Sequence, residues 1–143
     1  MGDKPQLDPQ LVQDFVRSAH GNLKRVTALV SEHPTLVNAV WDWGGGDWES
    51  GLGAAAHTGR REIAEFLLAR GARMDVFAAA MLGHLDLVRA HLTAMPTALT
   101  APGPHGIPLL THAKMGGEAA RPVLDYLQGV QDGSATANSA KNG

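Results

Sequence analysis

Four glycines, each closing one short run of small residues and opening the next, constrain this chain most strongly. They are Gly21, Gly59, Gly83 and Gly116, separated by 38, 24 and 33 residues. The first unit reads Phe15-Val16-Arg17-Ser18-Ala19-His20-Gly21-Asn22-Leu23, followed by Val26 and Leu29-Val30. The second reads Leu52-Gly53-Ala54-Ala55-Ala56-His57-Thr58-Gly59-Arg60, then Ile63 and Leu67-Leu68. The third runs from Val76 to Leu85, then Leu87-Val88 and Leu92; the fourth from Pro108 to Gly117, then Val123-Leu124 and Leu127. Small residues let a helix approach its neighbours, glycine relieves left-handed strain at a helix C-terminus, and apolar residues at helical spacing form a buried stripe. One such unit cannot bury its own apolar face, so the units must stack on one another.

A period near 33 residues is a repeat signature. The second unit, continued by Ala69-Arg70-Gly71-Ala72-Arg73, resembles the ankyrin consensus of Thr-Pro-Leu-His, Ala-Ala-x-x-Gly-His and Leu-Leu-x-x-Gly-Ala-Asp. The resemblance, to a short protein of the bacterial type, covers about residues 9–128 and is strongest in the second and third units. It implies an all-α fold: an ankyrin-repeat α-solenoid of about four helix–turn–helix repeats with modified finger loops. The repeats would span about 9–38, 39–72, 73–99 and 100–128, within a domain of residues 8–128. Asp8-Pro9 is a helix start, an N-cap followed by proline at the first helical position. Residues 1–7 are expected to be a flexible N-terminus, and residues 129–143, rich in Gly, Ser, Ala and Asn, a flexible C-terminal tail.

Composition removes several classes of function. The net charge is −2 and basic residues are scattered, which argues against nucleic acid as a partner. There is no cysteine, hence no disulfide, thiolate nucleophile or thiolate metal site. No apolar run is long enough to span a bilayer, and the first residues carry no secretory signal, so a cytoplasmic protein is expected. His57, His105 and His112 with Asp42, Asp47 and Glu49 could hold a metal through imidazole and oxygen ligands, but no His-Glu-x-x-His run or other dense ligand spacing occurs, so no metal and no cofactor is assigned from the sequence.

Two departures from a regular repeat stand out. The interval from Gly59 to Gly83 is short, and the missing piece lies between Ala72 and Val76, where a repeat would carry its hairpin finger. On either side of that gap the connections are specialised. Residues 41–50 read Trp41-Asp42-Trp43-Gly44-Gly45-Gly46-Asp47-Trp48-Glu49-Ser50 and hold all three tryptophans of the chain. Residues 101–108 read Ala101-Pro102-Gly103-Pro104-His105-Gly106-Ile107-Pro108. The two loops are expected to fold over the third repeat and enclose a pocket.

Resemblance to ankyrin repeats places the residue pairs Ala19-His20, His57-Thr58, Met81-Leu82 and Lys114-Met115 on a concave surface. Met81, Leu82 and Met115 would form an exposed apolar strip there, a common mark of a binding site. Trp41, Trp43 and Trp48 are candidate anchors, or a small core that stiffens their own loop. Asp42 and Asp47 are candidate ligand contacts or turn caps. His57 is the leading acid–base candidate and His105 the alternative, with Asp47 or Glu49 as partner. His112 aligns with Ala55 and Ala79, which makes it an inner-helix residue bonded to a backbone carbonyl or else a pocket residue. His20 faces the groove but is expected to lie far from the loops.

Two functions stay open on these residues. The first is a binding module that recognises a partner protein or ligand through the concave face and the 41–50 and 101–108 loops. The second is a small-molecule-binding protein or non-redox enzyme, its pocket closed by those loops. A monomer or a small homo-oligomer suits either.

Overall fold

A computed structural model describes residues 4–142, with side chains described as far as Gly133. Residues 1–3 of the expected N-terminal arm, and residue 143 of the tail, lie outside the described residues. The chain forms two compact units, Met1–Met74 and Asp75–Gly143.

The first unit holds α1 (Pro9–Ser18), α2 (Leu23–Glu32), β1 (Val40–Asp42), β2 (Trp48–Ser50), α3 (Gly51–His57) and α4 (Arg61–Ala69). Residues 4–8 carry no helix or strand and are exposed. Asp8 then caps α1 by accepting a hydrogen bond from the Gln10 amide, with Pro9 supplying a preset φ at the first helical position. Asn22 caps α2 through the Arg25 amide, and Ser50 caps α3 through the Gly53 amide. Phe15, Val16, Val26, Leu36, Leu52, Ile63 and Leu67 form the core among Ala54, Ala55, Ala56 and Ala64. Truncating Phe15, which is wholly buried, would cost on the order of 3–5 kcal/mol. Asn38, ending a 3₁₀ turn at Pro34–Asn38, donates to the Gly71 carbonyl at 3.2 Å and accepts from the Arg73 amide at 2.9 Å. That bracket ties the end of the first helix pair to the chain leaving α4.

The second unit holds α5 (Val76–Leu82), α6 (Leu85–Ala94), α7 (Leu109–Met115) and α8 (Arg121–Asn142). Asp75 caps α5 through the Ala78 amide. Val76, Ala79, Ala80, Val88, Leu92, Leu109, Ala113, Val123 and Leu127 make its core. α5 ends at Gly83, whose φ of +86° is the left-handed conformation that closes a helix without a Cβ penalty. α8 continues past residue 128 as far as Asn142. No proline follows Pro122, and Gly129 and Gly133 each weaken a helix by only about 1 kcal/mol relative to alanine.

The β1–β2 hairpin is the one sheet among the described residues. No strand forms in residues 70–75, where the short interval had predicted a missing finger, and none forms in 101–108. No helix of the described residues is long and apolar enough to cross a membrane.

Candidate functional site

The site grows from the hairpin. Its strands pair antiparallel, with Val40 opposite Ser50, Trp41 opposite Glu49 and Asp42 opposite Trp48. Directly opposed residues share a face of a sheet, so Val40 and Trp48 lie on one side and Trp41 and Glu49 on the other. Burial follows that division. Val40 is 47% and Trp48 59% exposed, whereas Glu49 is 1% exposed and Trp41 half-buried.

The turn between the strands is built from its own residues. Asp42 Oδ1 accepts from the amides of Gly44 at 2.9 Å and Gly46 at 3.0 Å. Gly44, Gly45 and Gly46 all take positive φ, which suits only glycine in such a run. Asp42 is therefore a turn cap, the structural one of its two expected roles. Asp47 closes the same turn through its backbone, accepting from the Trp43 amide at 3.0 Å.

Glu49 is the centre of a polar cluster in the first unit. Its Oε1 accepts from Trp43 Nε1 at 2.9 Å and lies 3.1 Å from His20 Nε2, while its Oε2 lies 2.9 Å from His57 Nε2. The His20 ring stands edge-on to both neighbours, 5.0 Å from the His57 ring and 6.1 Å from Trp43. Each side chain comes from a different element. β2 turns Glu49 inward, the C-terminal end of α3 supplies His57, and the turn after α1 supplies His20. His20 Nδ1 in turn lies 3.0 Å and 3.1 Å from the carbonyl oxygens of Val16 and Arg17, meeting acceptors that the end of a helix leaves over.

The electrostatics follow from these contacts. Burial alone would push the Glu49 carboxyl up, but the hydrogen bonds from His20, His57 and Trp43 outweigh it and hold the acid well below the usual carboxylate range. The hydrogen bond with Glu49 raises His20 above its ordinary value against a smaller opposing effect of burial. A buried carboxylate held this way is a fixed negative charge with an organised shell of donors.

The structure thus brings together Trp43, Glu49 and His57 of the expected residues, and adds His20, which had been placed far from the loops. Sequence carried a signal for His20. Ala19-His20 and His57-Thr58 occupy the same two positions of consecutive units, and stacking sets such positions side by side. Met81 and Leu82 are 0% and 5% exposed, so they do not form a solvent-facing strip. The reason is that α5 packs along α7 and against the turn at Gly117–Ala120, which covers that end of the helix. Met115, at the end of α7, is 45% exposed.

In the second unit His112 is fully buried, its Nδ1 2.9 Å from the Pro108 carbonyl oxygen and its ring 4.9 Å from Phe77, as the inner-helix reading expected. His105 sits in the compact turn Pro104–Gly106 at φ 58°, exposed, within a loop closed by a hydrogen bond from the Gly103 amide to the Ile107 carbonyl. No family model, no curated protein and no solved structure matches this chain.

Proposed function

We propose that this chain is an ankyrin-type binding module whose recognition element is the outer face of the Val40–Ser50 hairpin, and that its partner is a protein. The observation that carries the reading is Trp48, a large indole 59% exposed on a stiffened two-stranded element. Tryptophan is among the residues enriched as interface anchors, because its contact area is large and little conformational entropy is lost on docking from a rigid support. Val40 extends the apolar face, and Asp42 and Asp47 with no basic residue between 40 and 50 leave the tip acidic. The complementary surface is an apolar slot with a basic rim. The short paired helices and their glycine turns support the ankyrin-type assignment, since this architecture presents hairpins as contact elements.

The test is quantitative capture of binding proteins by the full chain and by Trp48→Ala and Val40→Ser. Trp48 contributes little to the core, so Trp48→Ala should keep the wild-type circular dichroism spectrum and melting temperature. It should also weaken the captured complex by more than about 30-fold, the size of a hot-spot loss of 2 kcal/mol. Capture unaffected by both substitutions would refute the assignment. A small-molecule site is a second reading, favoured by the buried Glu49 cluster on the opposite face of the hairpin. Ligand retention by Trp48→Ala together with loss in His57→Ala would select it.

A further inference from the structure

The Glu49 cluster is organised beyond what a stabilising ion pair requires. Two carbonyl oxygens, of Val16 and Arg17, meet His20 Nδ1. Carbonyls only accept, so Nδ1 carries the ring hydrogen and Nε2 is either bare or protonated. That Nε2 faces Glu49 Oε1 at 3.1 Å, and an ionised carboxylate presents only lone pairs. A positive centre therefore belongs between them, either a proton or a metal ion. Metal-binding histidines are fixed in the same manner, the second ring nitrogen donating to a backbone carbonyl or carboxylate.

The rest of the cluster agrees with the metal. Trp43 donates to Oε1 and orients the carboxylate, as an outer-shell donor does at metal sites. His57 Nε2 approaches the other oxygen at 2.9 Å. The donor atoms of His20, Glu49 and His57 all lie within 4.8 Å of one another. Donors held ~2.0–2.1 Å from a tetrahedral ion stand about 3.3 Å apart, so closing on an ion needs movements of at most about 1.5 Å. Two imidazoles and one carboxylate, without thiolate, form a donor set of zinc and its first-row neighbours.

We propose that His20, Glu49 and His57 form a binding site for a divalent first-row transition ion of the zinc type. Three protein ligands leave at least one coordination position to be filled by water, a ligand atom or a further protein group. The site lies on the inner side of the hairpin and is independent of any partner held by Trp48. No sequence motif announces it, because its ligands are 29 and 8 residues apart and come from three elements.

The experiment titrates the chelator-stripped full-length chain with Co(II), whose visible absorption reports coordination geometry, and then displaces it with Zn(II). One equivalent should bind. His20→Ala and His57→Ala should each weaken binding by about 100-fold or more, and Trp43→Phe by ~10–100-fold. His33→Ala should leave it unchanged. Glu49→Gln would be informative if it folds. His20→Ala keeps the test decisive in any case, because that side chain is 28% exposed and outside the core. Circular dichroism and melting of every variant establish folding. Failure of the folded wild type to take up a stoichiometric ion, or uptake unaltered by His20→Ala and His57→Ala, would overturn the proposal and leave a proton as the bridging charge. Loss of binding in His33→Ala would equally overturn it.

Discussion

Replacing Gly51 by alanine sets two physical effects against each other with opposite signs. Gly51 is the first residue of α3, directly after the Ser50 cap. Helix propensity alone predicts that Gly51→Ala stabilises the chain by up to about 0.8–1 kcal/mol. Packing predicts the reverse. A Cβ at this position would stand 2.5 Å from Cζ and 2.7 Å from Cε2 of Phe15, and 3.4 Å from Cδ1 of Leu67. Carbon atoms pack best at about 3.5–4.0 Å, so the overlap with the ring is close to 1 Å. Phe15 is wholly buried and cannot swing into solvent, so α1 and α3 must separate or the ring must leave its rotamer. Overpacking of this kind costs about 1–3 kcal/mol. Packing should win, for a net loss of about 1–2 kcal/mol. At ~2.1 cal/mol/K per residue, that lowers the melting temperature of a 143-residue chain by ~3–7 °C. The assay is urea denaturation followed by circular dichroism, together with Phe15→Leu and the double variant. The smaller Leu side chain should accommodate the new methyl, so the cycle should show a coupling of about 1 kcal/mol or more. A Gly51→Ala protein as stable as wild type, or more so, would refute the close approach of α1 and α3. Because α3 carries His57 and the turn that ends α1 carries His20, it would also undercut the geometry of the cluster.

Two further predictions concern other links between structure and stability. Gly83→Ala should destabilise more than Gly45→Ala although both glycines have positive φ: a Cβ on Gly83 would also stand 2.2 Å from the Ala119 carbonyl oxygen, whereas Gly45 has nothing within 4 Å. The first should exceed the ~1–2 kcal/mol cost of a left-handed residue and the second stay near or below it, as read from urea midpoints. Asp14 is paired with Arg25 at 2.6 Å, and that hydrogen bond holds its carboxyl below the ordinary value of 3.8. A depressed acid stabilises the fold above its unfolded pKa, and the contribution is lost as pH falls through the folded one. Wild type should therefore be slightly more stable than Asp14→Asn at neutral pH, and the gap should close below pH 3.8. Both partners are substantially exposed, so high salt should shrink the gap as well.

How much could be read from the chain alone depended on the range of the interaction. Asp8-Pro9 announces the start of α1 because a cap is chemistry between neighbours, and Gly83 ends α5 for the same reason. Helix pairing could be read from apolar spacing around the four turn glycines. Asp42 as a turn cap was one of two local alternatives, and the hairpin's hydrogen bonds chose it. Burial of Met81 and Leu82 was hidden, since it depends on what lies over the end of α5 rather than on α5 itself.

Local chemistry therefore decided the elements of this protein, and tertiary structure decided its site. Trp43, Glu49 and His57 were singled out by residue type, but only the pairing of Trp41 with Glu49 turns the carboxylate inward. Only the packing of α1 against the hairpin and α3 delivers His20 to it. A strand register shifted by one residue would expose Glu49 and bury Trp48, exchanging the two faces with the same sequence. Such a choice is settled by which arrangement satisfies the buried polar atoms, and those partners lie far away along the chain.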